Sequence, residues 1–424
     1  MKRIALLCPN KWDREMLARA PGAPHTRFDL RSFGEDAEAF DPDTFEADRF
    51  IDELTARLET DPVDGVTSSG DYPGILASSF VADALGLPGP SPTAVLQCAH
   101  KYYSRVAQSV AAPEATPRFG LLHPDAITDD ALPMGFPFFV KPVKSMFSQY
   151  ARRVDTLDEL VDYCMSEGLR DHLTRIVRPF NDLLRRHGGF DIDGGWLIAE
   201  EVLLGRQVTF EGYVFRSRLE IVGIVDSIMY GHTLSFRYFG FPSTFVTAEV
   251  ATRMRDVAER VLSWIGFDNG LFNIEFMYDE SIDSIQIIEI NPRMCGQFAD
   301  LMEAVQGVNT YETLLSLAAG LEPLPGVDGS YEVAASFALR HFGDAEVQAV
   351  PSPGVLTAIK ALYPVLSTYS FYLPGQLLSE SDYEYDGTSF RYAVVNVAGS
   401  DWPGLFADFV LVEASLGFRL RVRV

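Results

Sequence analysis

Cysteine is scarce in this chain: Cys8, Cys98, Cys164 and Cys295 are the only four among 424 residues. They lie far apart, with no CxxC and no Cys/His spacing, which argues against a disulfide framework and a zinc site and points to reduced, cytoplasmic thiols. Long apolar runs are missing too. Ile4 to Cys8 is cut off by Pro9-Asn10-Lys11, short of the ~7–15 residue core of a secretory signal, and no later stretch reaches the ~20 residues that span a bilayer. No membrane partner is therefore expected. Positive charge is also in short supply, with 35 Lys and Arg against 59 Asp and Glu, a formal charge of -24. A surface of that sign repels nucleic-acid phosphates, so no nucleic-acid partner is expected, and an anionic small molecule must be drawn in by a local cluster of cations.

What is present reads as folded throughout. Apolar residues make up 47% and charged residues 22%, no Pro, Gly or Ser tract interrupts the pattern for long, and no internal repeat is visible. Single cores usually stop growing near ~250 residues, so two or three packed units are expected. Arg3 to Cys8 and Asp64 to Ser68 read as buried strands, and Phe50 to Leu58 and Ile75 to Leu85 as helices, a small α/β unit ending near residue 90. Ser91-Pro92 then opens a helix that carries Lys101, Tyr102, Tyr103 and Arg105. Phe136 to Pro142 reads as a strand, and Thr156 with Glu159 as a capping box. Gly188-Gly189 and Gly194-Gly195 bracket a turn before strands at Trp196 to Leu203, Val208 to Phe215 and Leu219 to Ser227, best paired antiparallel. Ala248 to Ile265 and Tyr311 to Ala319 are helices closed by Gly266 and Gly320, and the last hundred residues read mostly as short strands and turns.

The chemistry concentrates on two strands. Phe272 to Tyr278 puts Asn273, Glu275 and Met277 on one face, and Ile285 to Asn291 does the same for Ile287, Glu289 and Asn291. If Tyr278 pairs with Gln286, Glu275 falls opposite Glu289, a like-charge pair that a divalent cation would compensate. Magnesium takes one or two carboxylates and leaves its other positions to water and phosphates. A strand Glu is more often a solvated residue paired with lysine, but Glu289 lies inside Ile287-Ile288-Glu289-Ile290-Asn291, where an idle carboxylate would be costly. Lys141 closes an otherwise apolar strand before Pro142, which favours an anion-binding role, whereas Lys101 on an amphipathic helix also suits the surface.

Ile288-Glu289-Ile290-Asn291-Pro292-Arg293, preceded by Phe272-Asn273-Ile274-Glu275-Phe276, resembles the metal-binding signature of the ATP-grasp superfamily. The resemblance extends back through Leu197 to Gly205, Phe136 to Pro142, and Lys101 with Arg105, and covers roughly Ile4 to Gly320. It implies a mixed α/β and α+β architecture: an N-terminal parallel α/β domain (1–90), a two-lobed ATP-grasp module (91–195 and 196–320) and a β-rich C-terminal extension (321–424). It further implies ATP with Mg2+, or Mn2+ in its place, held by Glu275, Glu289 and Asn291, with Arg293 beside the reacting groups. Lys101 and Lys141 would contact phosphates or adenine, and Glu200, Glu201, Val202 and Leu203 would line the adenine slot. Two departures stand out. The loop after Lys141 is not glycine-rich, which leaves the hydroxyls of Ser145 and Ser148 to face the phosphates. Gln207 stands where the family often has a glutamate for the ribose.

Active members with this pattern phosphorylate a carboxylate or bicarbonate and let a nucleophile displace the phosphate. Length, the C-terminal extension and the Gly240-Phe241-Pro242-Ser243 turn look most like the L-amino-acid ligases, so a small-molecule carboxylate and an amine are the expected partners, with room for a homodimer. A bicarbonate-using carboxylase and a non-catalytic nucleotide-binding relative are the alternatives. Between Asp226 and Thr244, His232 and Arg237 are the candidates for substrate recognition, weighed evenly against an ordinary loop histidine and a surface arginine. No Ser/His/Asp or Cys/His arrangement argues for covalent catalysis.

Overall fold

The computed structural model describes residues 1–17, 27–34, 41–146, 149–231, 233–381 and 384–422. Lys2–Leu7 (β1), Phe28–Phe33 (β2) and Gly65–Thr67 (β3) form a parallel sheet in the order β2-β1-β3. The strand β2, alternating Phe28, Leu30 and Ser32 with charged neighbours, was not evident in the sequence pattern. The helix Ala47–Thr60 buries Ile51, Leu54 and Leu58 along one stripe, and these join Ala5, Leu7 and Val66 in one core, each large side chain contributing roughly 1.5–3 kcal/mol.

Ser91 caps the next helix as its sequence predicts, its Oγ accepting from the Ala94 amide at 3.2 Å. That helix, Pro92–Ala99, is shorter than expected. It stops at His100, whose extended backbone starts a second helix, Lys101–Ala111. The break lets the Lys101 amide donate to the Val143 carbonyl at 2.8 Å, which ties the helix start to the loop after a neighbouring sheet.

That sheet is antiparallel: Phe119–Leu122 (β4), Phe138–Pro142 (β5), Arg152–Val154 (β6) and Leu197–Glu201 (β7), in the order β4-β7-β5-β6. Thr156 Oγ1 accepts from the Glu159 amide at 3.2 Å, and Glu159 Oε2 accepts from Asp155 rather than Thr156, a capping box displaced by one residue.

The large sheet is assembled from Arg206–Phe215 (β8), Arg218–Met229 (β9), Phe236–Phe241 (β10), Gly270–Asp279 (β11), Ser284–Asn291 (β12) and Val333–His341 (β13). Beyond a short strand, Ala345–Ala349 (β14), it also takes Val365–Ser370 (β15) and Phe390–Gly399 (β16); Arg419–Val422 (β17) pairs with β14. Its order is β12-β11-β8-β9-β10-β13-β16-β15, with every neighbouring pair antiparallel. The helix Ala248–Ile265, capped by Thr247 and closed by Gly266 at φ 74, presents Met254, Val257, Val261 and Leu262 to it. Phe210, Phe272, Ile274, Phe276 and Ile287 meet that stripe. Alternation then sends Asn273 and Glu275 to the opposite face.

Residues after 321 are not only strands and turns. Pro353–Leu362 and Trp402–Leu416 are helices. Exposed Val355, Leu362, Val410 and Leu411 interrupt their polar faces and blur the helical periodicity in their sequence. Their start signals, Ser352-Pro353 and Asp401 before Trp402-Pro403, are present.

Candidate active site

Antiparallel registry lays polar side chains in rows across β8, β11 and β12. Glu211, Asn273 and Asn291 make one row, and Thr209, Glu275 and Glu289 the next. The expected pairing of Glu275 with Glu289 is present, but not by the expected register. Tyr278 faces Ile285, and a bulge between Glu275 and Phe276 leaves Ile288 as the extra residue of β12. The bulge restores the carboxylate pair and turns the Ile288 carbonyl out of the ladder. That carbonyl accepts from Arg105 Nη2 at 2.8 Å and Lys141 Nζ at 3.5 Å.

Burial pushes the Glu275 carboxyl up to about 7, and the facing Glu289 adds to the shift against Arg293, Lys141 and Lys101. From its place opposite Met277, Gln207 Nε2 reaches across and donates to Glu275 Oε2 at 2.7 Å. Glu289 is paired with Lys101 at 3.2 Å. Glu211 is likewise pushed up to about 7 by burial, against Asn273 and Arg293. It accepts from Asn273 Nδ2 and, at 3.4 Å, from the Cys295 amide.

Opposite the carboxylates, the small sheet and the helix Lys101–Ala111 supply cations. Arg105 donates to Glu200 Oε1 at 2.7 Å and Lys141 to Glu200 Oε2 at 2.8 Å, with all three side chains 6% exposed or less. Burial pushes the Glu200 carboxyl up, but Arg105 and Lys141 outweigh it and hold it at about 2. Burial pushes the Lys141 ammonium down, with Glu200 opposing. Lys101 Nζ also donates to the buried Ser145 carbonyl at 3.0 Å. From the N-terminal unit, Asp71 accepts from Lys144 at 3.0 Å and lies 3.7 Å from Arg293. Burial raises the Asp71 carboxyl, but Lys144 and Arg293 prevail and hold it below the usual range.

The fold thus brings together Lys101, Lys141, Ser145, Glu200, Gln207, Glu275, Glu289, Asn291 and Arg293. Glu201 is held by Arg118 at 2.9 Å, and Val202 and Leu203 follow it half-buried. Arg237 is exposed on β10, with its guanidinium 5.9 Å from the Tyr230 ring centroid, two strands from β8. Ser148 and His232 lie outside the described residues. Sequence reasoning passed over Glu211, Asp71 and Lys144 as site residues. Glu211 had the same signal as Glu289, a carboxylate inside an apolar strand, whereas Asp71 becomes a neighbour of Arg293 only through the fold.

Among the described residues no group of three or more His, Cys, Asp and Glu side chains forms a metal cage. The two carboxylates and one amide of Glu275, Glu289 and Asn291 instead match magnesium, which leaves several positions to water and substrate oxygens. The two carboxylates are half-buried, and Lys101 pairs with Glu289; desolvation and the facing Glu289 hold the Glu275 carboxyl up. Lys101, Lys141 and Arg293 lie around these carboxylates, a local cluster of cations in a chain of charge -24 suited to a polyphosphate.

Known proteins resemble this chain in sequence and in fold. Residues 134–301 match the ATP-grasp domain family, a span that includes Lys141, Glu200, Glu275, Glu289, Asn291 and Arg293 but not Lys101 or Asp71. An uncharacterized protein of Sinorhizobium fredii, y4rH, is 26% identical over 262 residues, 60% of this chain and 48% of that protein. The chain spans about half, or less, of the length of the curated relatives it matches. Among solved structures, the L-amino acid ligase of Bacillus licheniformis superposes with a TM-score of 0.78 at 17% identity, over 100% of this chain and 99% of that one. The biotin carboxylase domain of Hydrogenobacter thermophilus 2-oxoglutarate carboxylase, in complex with MgADP and bicarbonate, gives 0.64 at 14% identity, over 99% and 91%. The fold is the ATP-grasp fold, with a parallel N-terminal sheet and a large antiparallel sheet. No helix among the described residues is long and apolar enough to cross a membrane.

Proposed function

We propose that the chain is an ATP-dependent carboxylate–amine ligase that releases ADP and phosphate. The observation that carries this reading is the cross-strand pair Glu275 and Glu289 beside Asn291, faced by Lys101, Lys141 and Arg293. A carboxylate oxygen of the first substrate attacks the γ-phosphorus of ATP, and the bond from that phosphorus to the β,γ-bridging oxygen breaks as ADP leaves. The amine nitrogen of the second substrate then attacks the acyl carbon. Phosphate departs with the carbon–oxygen bond, and the amine gives up a proton.

The residues of the chain act chiefly by position and charge. Lys101, Lys141 and Arg293 neutralise oxygens that gain charge during transfer, an electrostatic effect that is usually the largest in such reactions. Glu275, Glu289 and Asn291 would hold a divalent cation, which when bound supplies further compensation of phosphate charge. Val202 and Leu203 would offer backbone groups to adenine. The whole-chain likeness to an L-amino acid ligase supports an amino acid as one substrate.

The test is a product analysis from an amino-acid mixture with ATP. Mass spectrometry should find an amide, and nucleotide chromatography ADP and phosphate in equal amounts. AMP in proportion to product would overturn the γ-phosphoryl mechanism. Production of ADP that stops when bicarbonate is omitted would make the enzyme a carboxylase instead. In titrations of ATP, Lys141→Ala should weaken binding by roughly tenfold and Lys101→Ala by less, because Lys141 is anchored on a strand by the buried Glu200 whereas Lys101 pairs with the half-buried Glu289. Negligible losses in both would remove the lysines from the nucleotide site.

A further inference from the structure

Glu211, Asn273 and Asn291 stand side by side on β8, β11 and β12 and are all buried. Their polar atoms form a chain with a direction. Glu211 Oε1 accepts from Asn273 Nδ2, and Glu211 Oε2 accepts from the Cys295 amide at 3.4 Å. Asn273 Oδ1, the other end of that amide, accepts from Asn291 Nδ2 at 3.3 Å. A side-chain amide has one donating and one accepting end, whereas an ionised carboxylate only accepts. Both Glu211 oxygens accept, one from the fixed Cys295 amide and one from Asn273, so the head of the row orders both amides behind it. Asn291 commits its NH2 group to Asn273, and its oxygen is the end that the chain does not use. Two residues before Asn291 on the same strand is Glu289, opposite Glu275.

We propose that Glu211 is a positioning residue that acts through Asn273, setting the amide of Asn291 so that its oxygen, and not its NH2 group, faces a divalent cation held with Glu275 and Glu289. The inference rests on the metal reading above and extends it to residues that touch neither cation nor nucleotide. An asparagine free to turn would offer a cation its NH2 group in half of its orientations. Orientation of a ligand by a neighbour behind it commonly changes metal affinity by 10–100-fold. The row also accounts for a buried carboxylate placed between two strands where an apolar residue would pack more easily.

The test is calorimetric titration of the full chain with ADP, once in EDTA and once with Mg2+. In the native protein the metal should tighten ADP binding. Glu211→Gln, which can head the row in either direction, should lower that metal-dependent gain by roughly tenfold, while ADP affinity in EDTA stays within about twofold and reports an intact fold. The double variant Glu211→Gln with Asn273→Asp reverses the order of donors: the introduced glutamine donates, the introduced aspartate only accepts, and Asn291 is again held by its NH2 group. It should recover most of the lost gain, a result that a purely structural role of Glu211 would not produce. If Glu211→Gln no longer binds ADP in EDTA, Asn273→Leu, similar in size and unable to transmit the order, replaces it with the same expectation. A native metal-dependent gain in Glu211→Gln, or a double variant no better than the single one, overturns the positioning role and leaves the metal site standing. Absence of any Mg2+ effect in the native protein overturns the metal reading and the relay with it.

Discussion

Glu275→Gln should remove activity and at the same time stabilise the ligand-free protein. The rate of ADP formation with both substrates should fall on the order of 100-fold or more, because one of the carboxylates proposed to hold the cation is lost. The stability gain follows from the same carboxylate. Burial and the facing Glu289 push the Glu275 carboxyl up to about 7, from an ordinary value of 4.5. The folded chain therefore holds a proton that the unfolded chain has already released, and native stability falls as pH rises between those two values. A glutamine in its place carries no charge at any pH and escapes this loss. The melting temperature of the variant should exceed that of the native protein by roughly 3–6 °C at pH 8, a gain that shrinks toward pH 5. The difference between the two proteins is the quantity to follow. His100 and His172, held neutral by burial, give both an opposite trend below pH 6.5. A difference that does not vary with pH, or full activity in the variant, would sink the assignment. Glu289→Ala should abolish turnover likewise while leaving Lys101 without its carboxylate partner.

Arg105→Met should be among the most damaging single substitutions for stability, costing about 3–5 kcal/mol in urea denaturation. Arg105 is 2% exposed and binds Glu200, Gln108 and the Ile288 carbonyl. Its loss leaves both the buried Glu200 carboxylate and the carbonyl of the bulge that sets Glu289 with Lys141 alone, the latter at 3.5 Å. Glu200→Gln should be comparably destabilising, since two buried cations then share a neutral partner. These variants also separate two roles for Glu200. Were it chiefly part of an adenine slot, Glu200→Gln would alter nucleotide affinity and leave the unfolding curve in place. The buried ion network predicts the reverse order of effects, and a loss under about 1 kcal/mol, the range of exposed pairs, would refute it.

The two strands that carry Glu275, Glu289 and Asn291 were legible because their information is local. Alternation along Phe272 to Tyr278 and Ile285 to Asn291 separates a core face from a polar one, and that is a property of the strands alone. Caps were legible for the same reason: Ser91 and Thr156 accept from amides three residues on, within reach of a single turn. The pairing of Glu275 with Glu289 was reached by a register one residue away from the observed one over half of the hairpin. The bulge at Ile288 compensates, and nothing in the local pattern announces a bulge, because its anchor, Arg105, is 183 residues away.

By itself, then, the sequence determined the kind of strand, the polar face, the carboxylate pair and the ATP-grasp resemblance, all of which depend on side-chain period and order along the chain. Only the tertiary structure decided that Glu200 is clamped between Arg105 and Lys141, that Asp71 reaches Arg293 from the N-terminal unit, and that Gln207 donates to Glu275. It also decided that β13, β16 and β15 of the C-terminal segment extend the sheet carrying the site. Those relations link residues tens to hundreds of positions apart, and their energies exist only once burial removes water from between the charges. The value of a charge here depends on which partner it meets in the dry interior, which is a property of the packed chain and not of any segment of it.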